Sequence, residues 1–470
     1  MLIKLLLTFA VALFLTYPAA ILTTIIEGQS SAAIYSYHLP ISLFSYLLVS
    51  LPLIPLLCNI EMKRLPVSLV LIILIYSGLV FWNLGRADIL GDDYDLAYQA
   101  YNLHDGIQAA RKAYILSFNT HPPLFMTIKH YWFQLLFPAG LESVPSWGYR
   151  GMEGIMGIAT ILAVYALTKN YWVSAVLAVN NYMVFLGRVY LREMYLTFFL
   201  TLSIYFFQKR NYLITGFLVA CGLLIKTSAI AILPAYLLIL LYRKEFKNIF
   251  KILSVIFIIY IPVLLYNLFA FITTGYMDAA FSKIFGLAHP FLTGSSPPLD
   301  NLFLIKNYLV DIYSWPVFII FIVSAILSFR TIYFYVLLST LLYFIFAGPI
   351  REYYLLFLTI PFVILSAKLP KIIIILLILF SLWYSISGNS AARKLYEPSR
   401  GWPQLVSQIK NTYQPGDCLE KSGGVNDLAL RAYFQTDDAV KKALIGSDYP
   451  HYFKMCDEIQ NPVKKFILYY

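Results

Sequence analysis

The sequence predicts an all-α polytopic membrane bundle of about 13 transmembrane helices, followed by a small extracytoplasmic α/β domain at the C-terminus. Of its 470 residues, 60% are hydrophobic and only 13% are charged, and the mean hydropathy is +0.73. This balance is far from that of a soluble globular protein. The net charge of +11 does not indicate nucleic-acid binding, because the cations lie mostly in short loops between apolar runs.

Thirteen apolar runs divide the chain. They cover residues 5–26, 38–58, 66–84, 151–168, 172–187, 194–207, 212–225, 229–241, 252–272, 306–327, 331–347, 353–367 and 371–387. Several runs between 172 and 241 are shorter than the ~20 residues of an upright span, so we expect tilted or buried helices there. A cleaved signal peptide is the alternative interpretation of the first run, because Lys4 precedes it and small residues follow Pro18.

The distribution of cations predicts the orientation. With the N-terminus inside, the inward segments carry Lys4, Lys63, Arg64, Lys169, Lys209, Arg210, Arg243, Lys244, Lys247, Lys251, Arg330, Lys368 and Lys371. The short outward loop 27–37 contains no Lys or Arg. This positive-inside pattern predicts a multi-pass plasma-membrane protein with a cytoplasmic N-terminus.

The longer connecting segments then lie on the extracytoplasmic side. We divide the chain into N-terminal transmembrane helices (1–84), an extracytoplasmic loop with amphipathic helices (85–150), the transmembrane bundle (151–387) and the C-terminal domain (388–470). Cys418 and Cys456 fall in this last domain, where a disulfide would persist. Their pairing stays open, because the sequence does not give their geometry.

Two adjacent carboxylates, Asp92 and Asp93, lie near the start of the outward loop, just after an apolar run. Residues 92–106 have the spacing of a short amphipathic helix, so the pair could simply cap that helix. Carboxylates are costly close to a bilayer, however, and this favours a functional role.

Further charges lie at the outward ends of apolar runs, at the membrane level predicted for the two aspartates. They are Arg188, Arg192, Glu193, Lys226 and Arg351. Arg188 and Arg192 are four residues apart, which predicts that they share one helix face. Snorkelling or ion pairing would explain any one of these residues, whereas four cations beside two carboxylates indicate an anion site.

An anion bound in such apolar surroundings is expected to carry a membrane-embedded tail. A sugar attached to a polyprenyl phosphate meets this requirement. Its transfer needs a carboxylate that accepts the proton of an acceptor hydroxyl. It also needs cations that stabilise the leaving phosphate, for which Arg is well suited.

Five stretches resemble, in order, the motifs of the GT-C glycosyltransferases related to protein O-mannosyltransferases and lipid A aminoarabinose transferases. They are GDDYDLAYQAYNLHDG, THPPLF, RVYLREMYLTFF, LLIKTSAIAILP and REYYLLFLTIPF. The chain departs from the family pattern in two acidic residues, Asp93 where many members carry Glu and Glu193 where many carry Asp. It also has an added hairpin before the acidic loop, where members usually have one run, which leaves the helix count open.

The resemblance implies an integral-membrane, mannosyltransferase-like enzyme that uses a polyprenyl- or dolichyl-phosphate sugar and an acceptor hydroxyl of a protein, lipid or glycan. It implies that Asp92 is the catalytic base, that Asp93 is a second acid and that the anomeric centre inverts. The donor phosphate would be bound by His121, Arg188, Arg192, Lys226 and Arg351, with Glu193 and Tyr353 as further site residues. A divalent metal ion on Asp92, Asp93 and His121 stays open.

Two other functions are compatible with many spans and cations at helix ends. A transporter or flippase of lipid-linked saccharides would not need a carboxylate pair, and its cations should line a path to both membrane faces. A transferase of whole glycans would be expected to have a larger outward domain. The sequence does not identify the sugar or the acceptor.

Overall fold

The computed structural model describes residues 66–82, 123–137, 144–274, 297–346 and 350–389, with shorter stretches between 409 and 468 and the single positions Leu84, Ala97 and Ala100. In these parts the chain is mostly helical, as the sequence predicts. The first two apolar runs, 5–26 and 38–58, lie outside the described residues.

The described α-helices follow each other in a bundle whose interior is apolar and rich in tyrosine. They are α1 (Val67–Phe81), α2 (Pro123–Leu136), α3 (Ser146–Thr168), α4 (Tyr171–Val179), α5 (Asn181–Leu186), α6 (Glu193–Gln208), α7 (Tyr212–Ile225), α8 (Leu233–Tyr242), α9 (Phe246–Thr274), α10 (Pro298–Leu327), α11 (Ile332–Phe346), α12 (Leu356–Leu365) and α13 (Lys371–Ser387). Short 3₁₀ helices cover Thr227–Ile232, Glu352–Leu355 and Ser366–Lys368.

Two predicted helices are interrupted by polar residues. The run 172–187 forms two helices, because Asn180 has an extended backbone and its side chain caps α5 by accepting a hydrogen bond from the Tyr182 N–H. The run 306–327 belongs to the longer helix α10, which is broken at Ser314 (φ 66°, ψ 157°).

The break in α10 follows from the missing N–H of Pro316, which cannot bond to the carbonyl of Ile312 four residues earlier. The side-chain amide of Asn181 donates to that carbonyl instead, at 2.9 Å. The hydroxyl of Tyr384 donates to the neighbouring carbonyl of Asp311 at 2.6 Å. Side chains of other helices therefore satisfy backbone groups that the break releases, as an apolar environment requires.

Among the described helices, Trp147–Thr168 and Pro298–Leu327 are long and apolar enough to cross a membrane, and five further apolar helices are shorter. Large apolar side chains such as Leu74, Phe257, Ile326 and Leu379 are exposed on the outside of the bundle. An apolar exterior around a packed interior is the arrangement of a protein in a bilayer.

In the described part of the C-terminal segment, two parallel strands pair, β1 (Cys418–Lys421) and β2 (Lys465–Leu468). Cys418 and Cys456 form a disulfide, which answers the question that the sequence left open. The wider α/β domain over 388–470 stays a prediction.

Candidate active site

An ion pair between Glu193 and Lys226 joins two of the five motif stretches. Glu193 begins α6 and Lys226 directly follows α7. Because these two helices are packed neighbours joined by a tight turn, their ends lie side by side. The Nζ of Lys226 donates a hydrogen bond to Oε1 of Glu193, and the two side chains are 12% and 2% exposed. The pair is therefore largely shielded from solvent.

The position of Lys226 depends on a break in the helical chain, which the sequence predicts. Its backbone is extended (φ −159°, ψ 135°), and the 3₁₀ helix Thr227–Ile232 follows. An extended residue between two helical segments projects its side chain sideways from the helix end. The ammonium group thereby reaches the start of α6.

A third motif stretch, REYY, covers the ammonium group of Lys226. The Nζ lies 3.4 Å from the ring centroid of Tyr354 and 5.6 Å from that of Tyr353. Both rings belong to the 3₁₀ helix Glu352–Leu355, and the exposed Arg351 directly precedes it. A cation over an aromatic face is stabilised by the ring quadrupole. Lys226 therefore holds the REYY stretch against α6.

Arg188 binds the end of α1. Its Nη1 donates to the carbonyls of Leu79, Val80 and Trp82, at 3.1, 2.8 and 2.7 Å. A cation at a helix C-terminus is favourable, because the last carbonyls lack partners within the helix and carry the negative end of the helix dipole. The chain leaves α1 at this point and continues into the stretch that contains Asp92.

The prediction that Arg188 and Arg192 share one helix face is wrong. Helix α5 ends at Leu186 and α6 begins at Glu193, so the two arginines lie in the turn between them. The turn follows Gly187, which closely approaches α1: a Cβ at that position would lie 2.5 Å from the hydroxyl oxygen of Tyr76. Arg188 is buried, and Arg192 is partly exposed.

Glycines of α3 form a notch that receives α1. A Cβ at Gly157 would lie 1.8 Å from the hydroxyl oxygen of Tyr76, and one at Gly154 would lie 2.7 Å from the ring of Phe81. The Tyr76 hydroxyl donates to the carbonyl of Met183 in α5 at 3.4 Å. The notch and Arg188 together fix the end of α1 beside the turn between α5 and α6.

The THPPLF stretch reaches the same region through α2. The ring centroid of Phe125 lies 5.5 Å from that of Tyr190 and 5.2 Å from that of Tyr195, both in edge-to-face contact. These tyrosines flank the Arg192-Glu193 pair in the sequence. Four of the five motif stretches therefore meet within the described residues.

A buried charge network lies behind these contacts, and the sequence did not predict it. The Nζ of Lys129 in α2 donates to Glu153 in α3 at 2.9 and 3.0 Å and to the carbonyl of Tyr149 at 2.7 Å, and it lies 4.0 Å from the ring centroid of Tyr190. Lys129 and Glu153 are both fully buried. In the sequence, a charged residue within an apolar helix already indicates a special role. The sequence does not show that these two residues pair, because the pairing depends on tertiary structure.

A second missed residue is Glu352, which is buried beside the exposed Arg351. It begins the 3₁₀ helix that carries Tyr354, and it therefore belongs to the same site as Glu193. The cations Arg188, Arg192, Lys226 and Arg351 outnumber these two acids. The described part of the site is therefore positive overall and suited to an anion.

Asp92, Asp93 and His121 lie outside the described residues. Of the acidic stretch, the structure describes Ala97 and Ala100, which are helical and fully buried. Among the described residues no group of three metal-ligating side chains occurs. Whether Asp92, Asp93 and His121 hold a divalent ion is therefore not tested by these residues.

The apolar exterior, together with charged residues at the ends of the helices, is the pattern of a polytopic membrane protein. No protein-family model matches the sequence, and no curated protein matches it. Two solved structures of ArnT from Cupriavidus metallidurans share its fold. In the apo state ArnT matches with a TM-score of 0.56 at 11% identity, over 83% of this chain and 89% of ArnT.

ArnT bound to undecaprenyl phosphate matches with a TM-score of 0.52 at 10% identity, over 79% of this chain and 86% of ArnT. The predicted resemblance to the GT-C glycosyltransferases is thus confirmed at the level of the fold.

Proposed function

We propose that this chain is an integral-membrane glycosyltransferase that moves a sugar from a polyprenyl-phosphate donor to an acceptor hydroxyl. The observation that carries the proposal is the Glu193–Lys226 pair beneath Tyr354, because it gathers three motif stretches at one end of a bundle with the ArnT fold. The solved complex of ArnT with undecaprenyl phosphate supports a polyprenyl phosphate as the lipid part of the donor.

The reaction is a single displacement at the anomeric carbon. The acceptor oxygen forms a bond to this carbon while the bond to the phosphate oxygen breaks, and the polyprenyl phosphate leaves with the bonding electrons. Asp92 accepts the proton of the acceptor hydroxyl as general base, and Asp93 orients the acceptor. The anomeric centre inverts, because attack and departure occur on opposite faces.

The leaving phosphate needs positive charge more than it needs a proton. We assign phosphate binding to Arg192 and Arg351, whose planar guanidinium groups match phosphate oxygens. Arg192 lies in the turn beside Glu193, and Arg351 is exposed at the edge of the site. His121, directly before α2, and Tyr353 complete the phosphate site.

Arg188 and Lys226 are assigned a combined role. Both add to the positive potential of the pocket, and both hold neighbouring segments: Arg188 holds the end of α1 and Lys226 holds the REYY stretch. If a divalent ion takes part, Asp92, Asp93 and His121 would hold it and it would supply further charge for the phosphate.

We assign the site to the extracytoplasmic face. The Cys418–Cys456 disulfide supports this side for the segment that follows α13, because disulfides persist in oxidising compartments. The exposed cations at the opposite ends of the helices, Lys209 and Arg243 among them, support a cytoplasmic location for those ends. The segment 85–150 would then be the catalytic loop and 388–470 the outward domain.

The purified protein in liposomes, supplied with sugars on undecaprenyl phosphate and with a crude membrane acceptor fraction, tests the proposal. We expect transfer of sugar together with release of undecaprenyl phosphate. Arg192→Ala should mainly raise the donor concentration that gives half-maximal rate, whereas Arg330→Ala, at the other end of the bundle, should leave it unchanged.

Two outcomes would contradict the proposal. Movement of the donor between leaflets without a glycosidic product would indicate a flippase of lipid-linked saccharides. A donor response that is the same for Arg192→Ala and wild type would remove Arg192 from the phosphate site. If transfer is observed, mass spectrometry of surface glycans and glycolipids with and without the gene would identify the sugar and the acceptor.

A further inference from the structure

Six exposed cations gather at the end of the bundle opposite to the candidate active site. They are Lys209, Arg210, Arg243, Lys244, Lys247 and Lys251, and we call them the basic cluster. Helix α6 starts at the site with Glu193 and has 16 residues, a rise of about 24 Å. Lys209 and Arg210 directly follow its last turn and therefore lie at the far end.

Four of the cations come from two turns and the other two from the start of α9, and a polar network joins these segments. The hydroxyl of Tyr212, at the start of α7, donates to Oε2 of Glu245 at 2.7 Å, and the amide of Asn248 in α9 donates to the same oxygen at 2.7 Å. These hydrogen bonds, with smaller contributions from Arg210 and Arg243, lower the pKa of Glu245. The one acid of this region thus stays ionised and binds the two turns together.

Two of the cluster residues have left-handed backbone conformations, Arg210 (φ 56°) and Lys244 (φ 57°). Each follows the last residues of a helix and closes a tight turn into the next one. Both turns therefore present consecutive cations, Lys209-Arg210 and Arg243-Lys244, at the surface. Lys247 and Lys251 extend the cluster along one face of α9, because they are four residues apart.

An exposed apolar surface begins directly beside the cluster. On α8 Leu238, Leu241 and Tyr242 are 58%, 47% and 90% exposed, and on α9 Phe246, Phe250 and Phe257 are 55%, 70% and 59% exposed. A free inorganic anion would gain nothing from these side chains. A phospholipid would place its phosphate among the cations and its acyl chains along α8 and α9.

We propose that the basic cluster and the adjoining faces of α8 and α9 form a binding site for an anionic phospholipid. The positive-inside rule explains why cations lie on this side of the membrane, but it does not require six of them around two joined turns. Clusters of Lys and Arg at a membrane surface are typical of sites for anionic lipid headgroups. This proposal does not depend on the enzymatic function.

The chain offers a matched control for the test. Lys209, Lys244 and Lys247 belong to the cluster, whereas Lys169, Lys368 and Lys371 are exposed lysines on other turns at the same end of the bundle. Each set contains one residue with a left-handed backbone, Lys244 (φ 57°) and Lys169 (φ 53°). The triple variants K209Q/K244Q/K247Q and K169Q/K368Q/K371Q therefore lose the same charge at the same membrane level.

The first measurement is the unfolding temperature in detergent micelles with added phosphatidylglycerol, compared with phosphatidylcholine of the same acyl chains. We expect phosphatidylglycerol alone to raise the unfolding temperature of the wild type. The concentration needed should increase at least about tenfold in K209Q/K244Q/K247Q, since three cations that attract an anionic headgroup are lost. The control triple variant should respond like the wild type.

If both triple variants lost the stabilisation by phosphatidylglycerol equally, the proposal would be overturned, because this result would indicate a general attraction of anionic lipid to the basic surface. The same stabilisation by inorganic phosphate would also overturn it, in favour of a simple anion site. If the cluster variant does not fold, native mass spectrometry of the wild type tests whether the protein retains phosphatidylglycerol specifically. Retention of phosphatidylglycerol over phosphatidylcholine supports the site, and equal retention of both lipids contradicts it.

Discussion

The carboxylate of Glu193 and the ammonium group of Lys226 form an ion pair at the point where α6 begins and α7 ends, and the ring of Tyr354 lies 3.4 Å from the ammonium nitrogen. Three parts of the chain that are distant in sequence are thus connected through one charged atom. The pair is 2% and 12% exposed, so its loss cannot be compensated fully by water.

We expect Lys226→Met to lower the unfolding temperature strongly, because it leaves the buried Glu193 without its cation. Breaking a buried ion pair in this way costs about 3–5 kcal/mol, whereas removing both charges costs much less. The double variant E193Q/K226M should therefore be more stable than K226M. Thermal unfolding in detergent measures both, with Lys209→Met, at the exposed far end of α6, as the control. A double variant that is less stable than K226M would contradict the role of the pair.

Arg188→Gln should loosen the last turn of α1. Hydrogen bonds from a charged donor contribute about 1.5–3 kcal/mol, so the backbone amides near Leu79–Trp82 should exchange hydrogen at least about tenfold faster. Transfer activity should fall as well, since the segment that contains Asp92 follows this turn. Hydrogen-exchange mass spectrometry checks the first effect, with Arg330→Gln as the control. If hydrogen exchange near Leu79–Trp82 is unchanged but transfer activity is lost, Arg188 acts by binding the sugar donor and not by holding α1.

Gly157→Ala should destabilise the docking of α1 into α3, because the new Cβ would lie 1.8 Å from the hydroxyl oxygen of the buried Tyr76. Overpacking of this kind costs about 1–3 kcal/mol. The control is Gly78→Ala in α1, where a Cβ meets nothing within 4 Å. This substitution should leave stability unchanged or raise it, since Ala is favoured over Gly in a helix by about 1 kcal/mol. Equal unfolding temperatures for the two variants would contradict the described docking.

Lys129→Met should destabilise the folded protein more than the double variant K129M/E153L does. The single change removes the cation of Lys129 from the fully buried Glu153 carboxylate, whereas the double change replaces an ion pair by two apolar side chains. We expect the double variant to recover folded yield but to retain reduced transfer activity, because the contact of Lys129 with Tyr190 is lost. Size-exclusion yield and the transfer rate separate the two effects. A double variant as unstable as the single one would show that the network contributes more than charge balance.

The helices of the second half of the chain were predictable from hydropathy, and the predicted bounds of the last run, 371–387, agree with α13. The interruption at Lys226 was also predictable, because a charged residue between two apolar runs is costly inside a membrane helix. The interruptions at Asn180 and Ser314 were not predicted. The first depends on a local side-chain cap, and the second depends on neighbouring helices through hydrogen bonds from Asn181 and Tyr384.

The site was predictable as a set of residues but not as a set of pairings. The sequence placed Glu193 and Lys226 at one membrane level, and the resemblance added Tyr353 to the site. The structure brings these three residues together. The sequence did not indicate that Arg188 would bind the carbonyls of α1, since a charged side chain at a helix mouth suits a ligand and a helix end equally well. The Lys129–Glu153 pair joins residues 24 positions apart on different helices, and no local pattern predicts it.

The transfer rate of Asp92→Asn is the measurement that tests the central claim most directly. Purified wild-type and variant protein are compared in liposomes with a sugar on undecaprenyl phosphate, and the anomeric configuration of the product is determined. We predict an inverted product and a rate about 10²–10⁴-fold lower in the folded variant, as expected for the loss of a general base. A folded Asp92→Asn variant that retains the wild-type rate would contradict the account.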